Sequence, residues 1–65
     1  MEAWQERVIQ EKADLDVKIE KLQDWLDNTD HPEDEMISAM HDQLFAMCIY
    51  ANALQRRIDL WGKEA

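Results

Sequence analysis

Apolar residues recur along the second half of the chain at alternating spacings of three and four. Between residues 37 and 61 they fill every a and d position of four heptads: Ile37, Met40, Leu44, Met47, Ala51, Leu54, Ile58 and Trp61. This is the pattern of an amphipathic helix that packs against another helix. It predicts a helix from about residue 32 to residue 61.

A weaker stripe of the same kind marks a first helix, from about residue 2 to residue 27. Its apolar positions are Trp4, Val8, Leu15, Ile19, Leu22 and Leu26. With Val8, Leu15 and Leu22 at a positions, the d positions fall on Trp4, Glu11, Lys18 and Trp25. A hairpin seam does not favour charged residues at d. We therefore expect Glu11 and Lys18 to need polar partners or a ligand.

The intervening residues, 28 to 31, are predicted to form an acidic turn. Pro32 suits the first position of a helix, and Asp30 or His31 is the candidate cap before it. Gly62, the one glycine, is a natural C-cap for the second helix. The acids around the turn lack the spacing of a calcium loop, so no metal site is predicted.

One domain is expected over residues 1–65: an all-α, antiparallel two-helix hairpin. The run from Leu44 to Ala51 is apolar on all sides, and a second stripe flanks the seam there: Met36, Phe45, Cys48 and Ile49. One partner helix can cover only one stripe, and 65 residues offer no other. We therefore expect a helical homo-oligomer, with Cys48 acting as a small hydrophobic residue.

Fifteen acids against seven bases give the chain a formal net charge of −8. Such a charge disfavours binding to DNA or RNA polymers and to anionic membranes, but not binding of a small anion by local bases. No signal peptide or membrane span is evident, because the N-terminus is polar and the apolar run is short. A cytoplasmic location is expected.

Enzyme signatures are missing from the sequence. Ser38 and His41 share a helix face without the spacing of a known triad, and His31 and His41 lie outside any zinc motif. We predict neither catalysis nor a cofactor.

Aromatic and cationic residues gather at the end of the hairpin opposite the turn. An antiparallel arrangement brings together Trp4, Arg7, Arg56, Arg57 and Trp61, with Lys12, Lys18 and Tyr50 further along. Aromatic planes beside cations suit a nucleotide, whose base stacks and whose phosphate needs positive charge. The ordinary alternative is that the tryptophans complete the core and the arginines satisfy the helix C-terminus.

Two stretches, WQERVIQEKADLDVKIEKLQDWL and QLFAMCIYANALQRRI, resemble a family of very small phage proteins, the anti-CBASS sponges. The resemblance covers nearly all of the chain outside the turn. It implies a homo-hexamer that sequesters cyclic dinucleotides, or in some members cyclic trinucleotides, without cleaving them. It also implies action in the host cytoplasm, against cyclic-oligonucleotide immunity.

The resemblance singles out particular positions. Trp4 stands where the family usually has tyrosine, Arg7 and Lys18 match its first-helix motif, and Arg57 with Ile58 matches its late R-I pair. Together with the aromatic and cationic residues of the second helix, the predicted ligand-binding set is Trp4, Arg7, Lys18, Tyr50, Arg56 and Arg57. The alternative function is an oligomeric adaptor that binds a protein partner through the apolar stripe of the second helix.

Overall fold

The computed structural model describes residues 1–29 and 34–61, which form two helices and no strand. Helix α1 runs Ala3–Asp27 and helix α2 runs Glu35–Leu60. They pack along their length as an antiparallel hairpin, with extents of 50 × 15 × 14 Å. The predicted all-α hairpin is confirmed. Within the described residues, neither helix has both the length and the hydropathy needed to cross a bilayer.

Side chains close in sequence cap both ends of α1. At its start, the backbone N–H of Glu2 donates to Oε1 of Gln5 at 2.8 Å. At its end, Nδ2 of Asn28 donates to the carbonyl of Asp24, and Oγ1 of Thr29 donates to the carbonyl of Trp25, both at 2.7 Å. These bonds satisfy backbone groups that a helix leaves unpaired at its ends.

Helix α2 begins at Glu35, three residues later than the sequence predicted. Asp34 is its N-cap, because Oδ1 of this residue accepts a hydrogen bond from the Met36 N–H at 2.8 Å. The caps proposed from sequence, Asp30 or His31 at the start of α2 and Gly62 at its end, lie outside the described residues, as does Pro32.

The core lies along the seam between the helices. Val8, Leu15, Ala51 and Leu54 form its buried centre, and Leu54 is only 1% exposed. Leu26 and Ile37 are buried at the turn end. All eight predicted a and d residues, seven in α2 and Trp61 directly after it, are buried or half-buried, which confirms the seam predicted for this helix.

The seam of α1 differs from the a and d assignment. Glu11, Lys18 and Trp25 are exposed, whereas Ile19 and Leu26, one position round the helix, turn inward. One side of α1 packs against α2, and it carries Val8, Leu15, Ile19, Leu22 and Leu26. The d positions of α1 therefore lie at the rim, the exposed edge of the interface between the helices. Lys18 is therefore a rim residue and not a seam residue.

The second stripe of α2 stays largely uncovered within one chain. Met36, Phe45 and Ile49 are 66%, 70% and 55% exposed, respectively, while Cys48 is half-buried beside the seam. Phe45 and Ile49 are thus large apolar side chains that α1 does not reach.

Candidate ligand-binding groove

An open groove of about 370 Å³ runs along one side of the hairpin. Six residues of α1 and one of α2 line it: Arg7, Gln10, Glu11, Asp14, Leu15, Lys18 and Tyr50. Ligand sites in proteins commonly enclose roughly 300–1,000 Å³. The groove therefore has the volume to hold at least part of a small molecule.

The wall of the groove comes from regular helix geometry. Arg7, Glu11, Asp14 and Lys18 follow one another at spacings of four, three and four, so they form one polar strip on α1. This strip borders the buried stripe of the same helix, and Leu15 joins the two. The rotation that leaves Lys18 at the rim also brings the strip beside Tyr50 of α2.

The two carboxylates in the groove accept hydrogen bonds. The hydroxyl of Tyr50 donates to Oε1 of Glu11, a contact between the helices. Nε2 of Gln10 donates to Oδ1 of Asp14 at 2.9 Å. Each acid therefore has a neutral partner within the groove.

The two basic residues of the groove, Arg7 and Lys18, differ from the two acids in their contacts. Among the described residues, the ion pair that forms is between Lys12 and Asp16, at 2.7 Å, and neither residue lines the groove. Arg7 and Lys18 have no carboxylate within ion-pair distance in that part of the chain. Their positive charges are therefore available to an anion.

The groove combines these charges with a flat ring and an apolar floor. Arg7 and Lys18 are about 16 Å apart along the helix axis, and the ring of Tyr50, 44% exposed, lines the groove with them. A guanidinium and an ammonium group can bind anionic oxygens, and an aromatic ring can stack on a planar group. This arrangement suits a small anionic molecule that carries a ring.

Trp4 lies outside the groove, at the open end of the hairpin. It packs edge to face against Trp61, with ring centroids 5.2 Å apart and an interplanar angle of 85°. It nevertheless stays 47% exposed. The contact matches the ordinary interpretation, in which the tryptophans close the core, and leaves much of the Trp4 side chain accessible.

Arg56 and Arg57 line a second, smaller depression on α2, of about 260 Å³, together with Ala53 and Leu60. Arg57 lies seven residues after Tyr50, two turns along the same face of α2. Arg56 lies one position further round the helix, away from the groove of α1.

Of the six residues predicted from sequence, the fold thus brings Arg7, Lys18 and Tyr50 into one groove. It does not bring Trp4, Arg56 or Arg57 into that groove. The sequence interpretation missed Gln10 and Asp14, and it marked Glu11 only as a misplaced charge. The polar strip at helical spacing beside the apolar stripe is the signal that could have found them.

By fold and groove, the chain is a small helical hairpin protein with the features of a small-ligand binder. Residues 2–60 match the family model of Sequestin. The chain belongs to the Sequestin family, whose name fits a sequestering function. The predicted membership of a sequestering family is therefore confirmed. No curated protein and no solved structure matches the chain significantly.

Proposed function

We propose that this protein is a phage-type sponge for cyclic oligonucleotide immune signals. It binds a cyclic dinucleotide or, as the alternative ligand, a cyclic trinucleotide, and holds it without cleaving it. In the host cytoplasm this would lower the free concentration of the signal and block CBASS-like defence. The observation that carries the proposal is the groove with Arg7 and Lys18, where both acids already accept hydrogen bonds.

The chemistry of such a ligand fits the groove. A cyclic dinucleotide carries two phosphate charges and two bases, so its site needs cations and at least one stacking plane. Arg7 and Lys18 supply the cations, and Tyr50 supplies a ring between them. Glu11 and Asp14 are the groove's hydrogen-bond acceptors, suited to the N–H groups of a base or the hydroxyls of a ribose.

Assembly into a homo-oligomer, a hexamer in the resembling family, is part of this proposal. Trp4 and Lys18 are fourteen residues apart, about 21 Å along α1. One small ligand cannot readily touch both on a single helix. We propose that a complete site takes Trp4 from one subunit and Lys18 from another that runs antiparallel to it. Arg56 and Arg57 are the further cations predicted to contribute.

Calorimetric titration with a panel of cyclic dinucleotides, a cyclic trinucleotide and a linear dinucleotide tests the binding function. A cyclic ligand should bind, raise the melting temperature through mass action and be recovered intact by chromatography. A panel in which no cyclic nucleotide binds would refute the sponge. Recovery of a linear product would instead identify a cleaving enzyme.

The residues are tested by Trp4→Ala and Lys18→Ala. Loss of a stacking partner should weaken binding by roughly 1–3 kcal/mol, and loss of the lysine should cost a similar amount. The matched controls are Trp25→Ala, a tryptophan with the same 47% exposure at the turn end, and Lys21→Ala, an exposed lysine outside the groove. The controls should bind like the parent. Parent-like affinity in both test variants would show that these two residues do not bind the ligand.

Mixing the two variants tests whether the site is shared. A hetero-oligomer of Trp4→Ala and Lys18→Ala can offer one intact Trp4 to one intact Lys18. The mixture should therefore bind more ligand than either variant alone. A mixture that merely averages the two would place both residues in one subunit's site.

A second candidate function is favoured by the exposure of Phe45 and Ile49 on α2. An adaptor could dock a protein partner on this stripe, for which the nearby methionines are adaptable contacts. The titration separates the two functions. An adaptor gains no thermal stability from any nucleotide in the panel, whereas a sponge does.

A further inference from the structure

The side of α2 that faces away from α1 carries a regular pattern of its own. Residues alternate at spacings of three and four, which places them in one strip, the outer face: Ala39, Asp42, Ala46, Ile49, Ala53 and Arg56. All six are exposed, and Leu60, 46% exposed, continues the strip. This is the spacing of a coiled-coil seam, on the side of α2 that α1 leaves uncovered.

The two halves of the outer face differ in charge. The half before Ile49 carries Asp42, and the half after it carries Arg56, each seven residues from Ile49. Neither has an ion-pair partner within residues 1–29 and 34–61. A two-fold interface must be complementary to itself, and this distribution of charge is complementary when two copies run in opposite directions.

We propose that the outer face of α2 is covered by the same face of a second copy, antiparallel, with Ile49 at the two-fold axis. In this register Asp42 of each copy lies opposite Arg56 of the other, so two ion pairs flank a central apolar contact. A parallel arrangement would instead oppose Asp42 to Asp42 and Arg56 to Arg56. The charges therefore select the antiparallel one.

Side-chain size supports the same register. Antiparallel about Ile49, residues 38–45 of one copy lie over residues 53–60 of the other. Phe45, at 70% exposure, then lies over Ala53 and the depression that Ala53 borders, and Leu60 lies over the small Ser38, beside Ala39. Large side chains thus face small ones, as close packing between helices requires.

This pairing gives Arg56 a place in the subunit interface, whereas Arg57 stays on the side of Tyr50. It also counters an opposing force, since two chains of charge −8 repel one another. Opposite charges at fixed places in the contact allow like-charged chains to associate. The inference rests on the homo-oligomer of the proposed function but needs no ligand.

Charge reversal tests the pairing, with self-association measured by sedimentation in the absence of any nucleotide. Asp42→Arg or Arg56→Asp alone places like charges together twice in each pair of copies. Each should raise the dissociation constant at least about tenfold. An equimolar mixture of the two variants should restore association, because each copy then meets opposite charges on the other.

The controls are Glu20→Arg and Lys21→Asp, which make the same charge changes at exposed sites on α1. They should associate like the parent. Parent-like association of both test variants would remove the outer face from the interface, and a mixture no tighter than its components would refute the register. If the unmutated chain is a monomer, a second copy does not cover the outer face, and its occupant would be another protein. None of these results depends on nucleotide titration, so they can fail separately from the ligand-binding function.

Cross-linking tests the orientation even if a charge variant folds poorly. In a Cys48→Ser background, Ile49→Cys should form a disulfide-linked dimer, since the two copies of residue 49 meet at the axis. Asp42→Cys should not, because the two copies of residue 42 are about 21 Å apart along the helices, beyond the span of a disulfide. Cross-linking at both positions would indicate a parallel pair and overturn the proposal.

Discussion

The two long faces of α2 are both apolar in the middle of the helix, yet they lie in opposite environments. On the seam face Leu54 is 1% exposed, and on the other side Phe45 is 70% exposed. The first face meets α1, which has one apolar stripe to offer. The second face has no partner among residues 1–29 and 34–61. A hairpin of this length can bury one apolar stripe on each helix. A single copy therefore leaves the second apolar face of α2 exposed.

The two faces also differ in what their burial stabilises. Burial at the seam stabilises the hairpin itself, at any concentration of protein. Burial at the outer face would stabilise only an assembly, and its contribution would grow with concentration. Changes on the two faces should therefore differ in their concentration dependence as well as in size.

The largest effect should come from the seam. Leu54→Ala removes a fully buried side chain and leaves a cavity, which typically costs about 2–5 kcal/mol. For a domain this small that is much of the free energy of unfolding. Urea unfolding monitored by circular dichroism measures it. The matched control, Leu60→Ala, changes a leucine that is 46% exposed in one chain and should cost far less. Equal losses would remove the distinction between the faces.

The next effect should come from the uncovered face. Phe45→Glu should dissociate the homo-oligomer and lower helicity together, because burial of each large apolar side chain contributes roughly 1.5–3 kcal/mol. Sedimentation and circular dichroism at the same concentrations test this. Gln23→Glu, which makes the same charge change at an exposed site on α1, is the control. A stable, helical 7.7 kDa species of the parent chain would contradict the assembly outright.

The smallest effect should come from the N-cap of α2, which stabilises the helix as a whole and neither face in particular. Asp34→Ala removes the N-cap of α2 and should cost about 1 kcal/mol, whereas Asp34→Asn should retain most of the cap. Nucleotide affinity should not fall, because Asp34 lies at the turn end, remote from Arg7 and Tyr50. A large loss of affinity would place the ligand site at the turn.

Much of this architecture was determined by the sequence alone. Helix periodicity is a local property, so the two helices, the seam of α2 and the leftover stripe with Phe45 and Ile49 could all be predicted from spacing. The chain contains one glycine and one proline, so it has few residues suited to the tight turns that connect strands. Arg7, Lys18 and Tyr50 could be singled out by residue type, although the reason given for Lys18, a seam position, was wrong.

Only the tertiary structure decided how α1 is rotated. Turning Ile19 and Leu26 inward moved Glu11 and Lys18 to the rim, which created a polar strip facing Tyr50. The antiparallel hairpin predicted from sequence already placed Trp61 beside Trp4, and the structure adds their edge-to-face contact. The contact of Tyr50 with Glu11, in contrast, joins residues 39 positions apart that the predicted seam does not pair. Spacing along one helix carries no information about such pairs, because they depend on which side of each helix packing against the other buries.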